Sequence, residues 1–382
     1  MSEAPHVLIT LGTESSSGRQ FLRGVTDYAR HFGAWRFLCE PAGLAHVRSS
    51  VQGDPFDGVI TMDLPEHQDL LALGLPTVAI LHEQAARPKT IAVDTDDAGV
   101  AAAAAEHFLQ RGYQQFAFFG RQTGLWSMQR EAAFVERIEA AGYAVEVLRA
   151  RLISASKGDS RFDKVDVLPW LEALPKPAAI FAANDHFARY LLDQCRIAGI
   201  RVPQECAVLG VGADSYVCEL VNPSLSSVAL GFQQAGYLAA QALNQQMRNE
   251  QADSMHITAQ AGAVTLRRST DALAVNDPVL ARALQYLLER SHCAVEVDDV
   301  AAHIGVSRRN LEHRFRKGMD TSVLKYHRSL RAEHIAQVLL ESQLSLEAIS
   351  EQCGFSEPGN LTRFFKSVKG ESPSAYCKRM RA

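Results

Sequence analysis

Between residues 6 and 265, short apolar runs alternate with stretches in which apolar side chains return every three or four positions. The runs include HVLIT (6–10), DGVIT (57–61), PTVAIL (76–81), TIAVD (90–94), FAFFG (116–120), AAIFAAND (178–185) and CAVLGVG (206–212). Between them FLRGVTDYARHFG, AGVAAAAAEHFLQRG, QREAAFVERIEAAG and HFARYLLDQCRIAG read as helices, and several end at a glycine, which accepts the left-handed conformation that stops a helix. Continuous apolar strands alternating with helices predict a parallel sheet covered on both faces. About 260 residues is long for one such sheet; two α/β lobes around a cleft are the alternative, with ligands expected at the carboxyl ends of strands. After TLRRSTDALAVNDPV (265–279) the strand signal stops. Residues 278–382 read as short helices joined by tight turns, which places a domain boundary near 266–277 and a helix start at Pro278.

The helical tail contains a repeat. VAAHIGVSRRNLEHRF (300–315) matches ISEQCGFSEPGNLTRFF (349–365). Gly305, Val306 and Ser307 recur 49 positions later as Gly354, Phe355 and Ser356, and Leu311 and Phe315 recur 50 later as Leu361 and Phe365. Each copy is a helix, a tight turn with Gly, and a second helix with a serine as candidate N-cap, which is the order of a helix-turn-helix. At about 100° per residue, Leu311 and Phe315 share one face of their helix while Arg309, His313, Arg316 and Lys317 point the other way. In the second copy Leu361, Phe364 and Phe365 share a face opposite Gly359, Arg363 and Lys366. Pro358 is tolerated in a first helical turn. Apolar faces that pack and basic faces left to solvent suit DNA phosphates and base edges.

Charge is distributed to match. Residues 274–382 carry 16 Lys/Arg against 13 Asp/Glu, a net +3, whereas residues 1–273 carry 23 against 30, a net −7. The composition, 47% hydrophobic and 21% charged, is that of a soluble globular protein, and 382 residues predict two or three domains. No apolar run reaches the ~18 residues of a membrane span. MSEAPHVLIT has no basic and apolar leader, so a cytoplasmic location is expected. The seven cysteines are scattered with no CxxC pair, which indicates neither a disulfide framework nor a zinc site. The α/β part lacks GxSxG, GxxxxGK[ST] and HExxH, and its histidines do not cluster at metal-ligand spacing. A binding lobe rather than an enzyme is therefore expected, with no cofactor and no catalytic residue.

At the repeat the chain resembles the AraC/XylS family of transcription regulators: Ile349, Ser350, Cys353, Gly354 and Phe355, then Leu361, Phe365 and Lys366, then Gly370, Pro373 and Tyr376. Ser350, Leu361 and Cys377 depart from the family pattern without removing a core position. The resemblance implies two helix-turn-helix motifs, at about 297–317 and 346–367, whose second helices enter major grooves of promoter DNA. It assigns base reading to Arg309, Glu312 and His313, and to Gly359, Thr362 and Arg363; Arg308, Arg316, Asn360 and Lys366 complete the expected contacts. Gly359 has no side chain to read with, so the second helix leans on Arg363.

The α/β part resembles the periplasmic-binding-protein fold of LacI/GalR-type sensors. FLRGVTDYAR, DTDDAGVAAAAAEHFLQRGYQQFAFFG, REAAF, AANDHFARYLLDQCRIAGIRVPQECAVLGVG and NPSLSSVAL fall in that family's order. The combination of both parts, with the RRSTD junction (267–271), resembles the xylose-operon activators. It implies a two-lobed sensor over residues 1–270, a DNA-binding domain over 271–382, and a sugar-like effector in the interlobe cleft. The ligand set implied is Ser16, Ser17 and Arg19 from the loop GTESSSGR, Trp126 and Arg130 at the pocket edge, Asn184 and Asp185 at a strand end, and Asp214. An Asp at a strand end is also a common helix N-cap. Gly212 and Ala213 stand where relatives carry an acid followed, in xylose-type sensors, by Asn, which predicts weak xylose binding. Expected partners are duplex promoter DNA, RNA polymerase and a second copy of the chain. An α/β carbohydrate-acting enzyme with a DNA-binding tail, or a regulator whose sensor no longer takes a ligand, are the alternatives.

Overall fold

The computed structural model describes residues 4–32, 34–40, 55–63, 70, 73–81, 90–150, 167–248, 255–272, 277–342 and 344–381. Part of the anticipated domain junction, residues 273–276, lies outside the described residues. Two six-stranded sheets account for the α/β part, as expected for two lobes. The first has the order β11-β5-β4-β3-β1-β2, with β1 His6–Ile9, β2 Arg36–Cys39, β3 Gly58–Met62, β4 Thr77–Ile80, β5 Thr90–Thr95 and β11 His256–Ala259, all pairs parallel. The second has the order β12-β10-β9-β8-β6-β7, with β6 Gln115–Arg121, β7 Val145–Ala150, β8 Ala178–Ala182, β9 Cys206–Val211, β10 Ser226–Leu230 and β12 Ala261–Thr265. Only β12, paired with β10, runs antiparallel there. Strands β8 and β9 are buried at every position, which is why they read as unbroken apolar runs.

Among the described residues, seven helices flank the sheets: α1 Ser16–Phe32, α2 Asp97–Gln110, α3 Leu125–Ala140, α4 Val167–Ala173, α5 Asp185–Ile197, α6 Ser215–Leu220 and α7 Phe232–Met247. The chain passes between the lobes three times, from β5 to α2, from β10 to α7 and from β11 to β12. The crossings lie side by side: Asp96 N donates to Ala259 O at 3.0 Å, and Gly231 N donates to Gln260 O at 2.9 Å. Helices α1 and α7 pack face to face on the first sheet. A Cβ at Gly24 would stand 1.9 Å from Gln233 O, and one at Gly236 would stand 2.1 Å from Phe21 O, so glycine is what lets the two backbones meet. Inside the second lobe Phe118, Phe134 and Phe181 stack around one another with centroids 5.0–6.5 Å apart.

The remainder of the described chain is helical: α8 Pro278–Glu289, α9 Val297–Ile304, α10 Arg308–Met319, α11 Val323–Glu341, α12 Leu346–Gln352, α13 Pro358–Lys369 and α14 Pro373–Arg381. Pro278 does open a helix, capped by the Asp277 carboxylate accepting from Val279 N at 2.9 Å. Two small cores result. One gathers Leu284, Val300, Leu311, Phe315 and Tyr326; the other gathers Ile335, Leu339, Ile349, Leu361 and Phe365. Helix α11 serves both.

Adding a methyl group at Gly236 forces α7 away from α1. Gly236→Ala is expected to lower the unfolding free energy by about 1–3 kcal/mol, read as a lower urea midpoint; an unchanged midpoint would show that the helices have room to spare.

Candidate functional sites: an interlobe cleft and a nucleic-acid interface

Arg19 lies in the first turns of α1, which begins just after β1. Its guanidinium donates to Thr13 O at 2.7 Å and Glu14 O at 2.9 Å, which fixes the loop, and to Asp214 Oδ2 at 2.8 Å. Asp214 follows β9 in the other lobe, so this ion pair joins the two lobes. The same carboxylate caps α6, accepting from Tyr216 N at 3.2 Å, and the Tyr216 ring lies 5.3 Å from the Arg19 guanidinium. Asp214 N donates to Asp185 Oδ2 at 2.8 Å, and Ser227 Oγ donates to Asp185 Oδ1 at 2.5 Å. Asp185 is 3% exposed, and burial raises its pKa above the usual carboxylate range despite these hydrogen bonds.

This refines the reading of Asn184 and Asp185. Asn184 is the N-cap of α5, its Oδ1 accepting from Phe187 N at 2.9 Å, while Asp185 is the first helical residue and holds the β9–α6 turn. Gly210 and Gly212 make room for it: a Cβ at Gly210 would stand 2.4 Å from Asp185 Oδ1, and one at Gly212 3.2 Å from Oδ2. Gly212 has φ 122°, and Ala213 is left-handed at φ 49°, so the turn is tightly specified.

Arg130 is the centre of a second group. It donates from Nε to Asp97 Oδ1 at 2.7 Å, from Nη1 to Ala183 O at 2.7 Å and from Nη2 to Thr95 Oγ1 at 3.2 Å. Its guanidinium sits 5.0 Å from the Trp126 ring centroid. Burial pushes the Arg130 pKa down and the Asp97 pKa up, each opposed by the other's charge. Thr95 and Asp97 flank the first crossing between lobes, so Arg130 ties that crossing to the end of β8. Ser16 and Ser17 are half-buried on the first turn of α1, where Ser16 Oγ accepts from Gln20 Nε2 at 2.8 Å. Arg19, Arg130, Asp185 and Asp214 are among the residues the sequence singles out; Thr95, Asp97 and Ser227 emerge only in the structure. DTDD (94–97), an acid cluster between a strand and a helix, was the available signal for the first two.

In the tail, the two recognition helices α10 and α13 present the same surface. Residue for residue, 311–320 and 361–370 alternate between buried, half-buried and exposed in one identical order. Leu311, Phe315, Leu361 and Phe365 are fully buried; Arg309, His313 and Arg316 in one helix, and Gly359, Arg363 and Lys366 in the other, are exposed. Gly305 and Gly354 close the preceding helices with φ 78° and 69°. The repeat also runs further than the sequence reading had it. Ser322 and Ser372 cap the next helices, accepting from Lys325 N and Ala375 N at 3.2 Å each, and the edge-on pairs Phe315–Tyr326 and Phe365–Tyr376 have centroids 5.3 and 5.4 Å apart.

The expected serine caps divide. Ser307 caps α10, its Oγ accepting from Asn310 N at 3.3 Å. Ser356 does not cap α13: Glu357 occupies the cap position, Pro358 opens the helix, and Ser356 Oγ accepts from Asn360 Nδ2 at 2.9 Å. The second copy has one extra residue, which moves Ser356 one place ahead of the cap position. Among the expected DNA contacts, Arg308 is ion-paired with Asp298 and Glu312 at 3.0 and 3.1 Å, Thr362 Oγ1 donates to Pro358 O at 2.9 Å, and Arg363 donates to Asn360 Oδ1 at 2.6 Å.

Comparison with known proteins places this geometry. The periplasmic binding protein-like domain family matches residues 105–270, and a helix-turn-helix domain family matches residues 300–379. The xylose operon regulatory protein of Haemophilus influenzae is 30% identical over 370 residues, covering 94% of each chain. Its Escherichia coli K12 counterpart is 26% identical over 379 residues, covering 97% of this chain and 96% of its own. The solved structure of a xylose-binding transcription activator aligns over 98% of both chains at 25% identity, with a TM-score of 0.59. A LacI family regulator from Enterococcus faecalis with bound ribose shares the fold of the α/β part, with a TM-score of 0.56 at 18% identity over 71% of this chain.

Arg130 has one carboxylate partner at the crossing. Asp97→Ala leaves a buried guanidinium uncompensated and is expected to cost about 3–5 kcal/mol in urea unfolding, with the double variant Asp97→Ala/Arg130→Met less damaged than the single one. Equal damage in both would show that the charge pairing is not what Asp97 supplies.

Proposed function

The chain belongs to the family of xylose operon regulatory proteins, DNA-binding transcription regulators with a periplasmic-binding-protein-like sensor ahead of two helix-turn-helix motifs, and on that premise we propose that it is a sugar-responsive activator of carbohydrate-catabolic genes. The observation that carries this reading is that one chain joins two α/β lobes, bridged by the Arg19–Asp214 ion pair, to a duplicated pair of exposed basic helices. Residues 1–270 form the sensor and 271–382 the DNA-binding domain. It works in the cytoplasm as a homodimer on promoter DNA and acts on RNA polymerase. A ligand changes activity only by binding two conformations differently, and the three adjacent crossings are where the lobes move.

In the cleft, Arg19 and Arg130 supply donors, Asp185 and Asp214 acceptors, and Trp126 an apolar face. Ser16, Ser17 and Asn184 complete the rim. These are what a sugar needs: few, convergent polar groups and a flat apolar surface. Gly212 withholds one acceptor pair. A charge-assisted hydrogen bond is worth about 1.5–3 kcal/mol, so xylose is expected to bind about ten- to a hundredfold more weakly than a larger or substituted sugar that fills the space over Gly212. Titration calorimetry with pentoses, hexoses and polyols tests this: micromolar xylose binding removes the exclusion. An affinity unmoved by both Arg130→Ala and Arg19→Ala removes the pocket.

On DNA, α10 and α13 enter successive major grooves about one helical turn apart. Arg309, Glu312 and His313 read bases from α10, and Thr362 and Arg363 from α13 beside Gly359; Arg308, Arg316, Asn360 and Lys366 hold the backbone. Arg363→Ala is expected to cost about 1–3 kcal/mol and to relax specificity at one base pair, measured by fluorescence anisotropy against the promoter duplex and its single-base variants. A uniform loss across all sequences would make Arg363 a phosphate contact instead.

A further inference from the structure

The two helix-turn-helix motifs use one matched residue differently. Asn310 and Asn360 hold the same place in the repeat, just ahead of Leu311 and Leu361. In the first motif Asn310 Oδ1 accepts from Arg314 Nε at 2.6 Å, and Arg314 also pairs with Asp277, the cap of α8. That asparagine therefore helps tie α10 to the start of α8. In the second motif the match of Arg314 is Phe364, so the cation is missing there. Asn360 engages Arg363 instead: Arg363 Nη2 donates to Asn360 Oδ1 at 2.6 Å, and Asn360 Nδ2 donates to Ser356 Oγ at 2.9 Å. An arginine only donates, so the amide oxygen has to face it and the NH2 has to face the serine. Ser356 is available because it does not cap α13, whereas Ser307 uses its hydroxyl on Asn310 N.

We propose that Ser356 and Asn360 are positioning residues that hold the Arg363 guanidinium for a guanine in the major groove and so set how sharply the second motif discriminates at that base pair, a role that rests on Arg363 being a base contact. Arg363 is exposed. A free arginine facing DNA can be satisfied by a base edge or by a phosphate oxygen, and every sequence offers the phosphate. An arginine able to swing to the phosphate loses little beside a wrong base, so it adds affinity with little discrimination. Tied through Nη2 to an asparagine that is itself tied to Ser356, the guanidinium keeps its other N–H groups for one direction.

Guanine offers N7 and O6, an acceptor pair that two guanidinium N–H groups fit. Adenine offers N7 beside an N–H donor, for which a guanidinium has no acceptor. Part of the ordering cost of the long side chain is met before DNA is bound. The approach is open at Gly359, where a Cβ would meet nothing within 4 Å. His313, the match of Arg363 in the first motif, has no such brace, because Asn310 Oδ1 is given to Arg314. The stricter reading accordingly falls to α13.

Fluorescence anisotropy with the full chain tests this on a duplex that the wild-type chain selects from a randomised pool, and on its single-base-pair variants. The quantity read is the ratio of affinities for the selected duplex and for its variant at the guanine that Arg363→Ala ceases to discriminate. Asn360→Ala is expected to lower that ratio about fivefold, the lower edge of what a bidentate base contact contributes, with Ser356→Ala in between. Asn360→Asp still accepts from Arg363, so it is expected to keep the ratio while its added charge weakens binding to every duplex alike. A ratio untouched by Asn360→Ala but erased by Arg363→Ala overturns the brace and leaves the base contact standing. Equal loss of the ratio in Asn360→Asp and Asn360→Ala overturns it too, since the acceptor for Arg363 is then not what Asn360 supplies. If Arg363→Ala discriminates at every base pair as wild type does, the base contact falls and the brace with it.

Discussion

A buried guanidinium at the first crossing between the lobes is the constraint from which much of the rest follows. Arg130 is 4% exposed, and a charge at that depth must stay paired and hydrogen-bonded or the lobe does not hold together. Its partners are not scattered: Asp97 starts α2, Thr95 ends β5, and Ala183 directly follows β8. One side chain thus fixes where the chain leaves the first sheet, where it enters the second, and where a central strand stops. From that point α2 runs over its 14 residues to Gln110, whose carbonyl accepts from Tyr326 of the DNA-binding domain.

The tail solves a different problem. A helix-turn-helix of about 50 residues has little core, and small units are marginal alone. Here two are joined through α11, which gives Tyr326 and Leu330 to the first core and Ile335, Ala336 and Leu339 to the second. Arg331 strengthens the join. It donates to Cys353 O at 2.9 Å, and its guanidinium lies 4.4 Å from the Phe355 ring and 5.1 Å from that of Phe364. Both cores, and with them α10 and α13, therefore pack on one continuous helix.

How much of this could be read from the chain itself differs by part. The buried strands and the repeat were legible because their periodicity is enforced by burial: β8 and β9 tolerate no polar side chain inside, and Leu311 and Phe315 recur as Leu361 and Phe365 because each fills the same hole. Strand β2 (RFLC) was not, since its burial pattern is exposed at both ends, and an edge strand need not look apolar. Among polar residues, sequence suggested which ones gather at strand ends but not what they would do there. Asp185 reads in sequence as an acceptor for a ligand; the structure gives its two oxygens to Ser227 and to the backbone of Asp214, 42 and 29 residues distant, a partnership that no local pattern encodes. The extension of the repeat into Ser322/Ser372 and Tyr326/Tyr376 was visible in principle at the same spacing of 50, but serine caps and an aromatic pair are too common to stand out without coordinates.

That internal use of the cleft's polar groups bears on selectivity. Arg19 holds two backbone carbonyls and Asp214; Asp214 holds Arg19 and the start of α6; Asp185 holds the turn that carries Asp214. If, as proposed, a sugar enters between the lobes, it exchanges hydrogen bonds rather than adding them, so its gain is the difference between two well-made sets. Such a site responds weakly to a sugar's overall size and strongly to a hydroxyl out of place, because a misplaced hydroxyl leaves a buried protein group unpaired. The turn at Gly212 and Ala213 then matters twice. On the proposed reading it withholds an acceptor from the ligand, and its left-handed geometry places Asp214 opposite Arg19 of the other lobe.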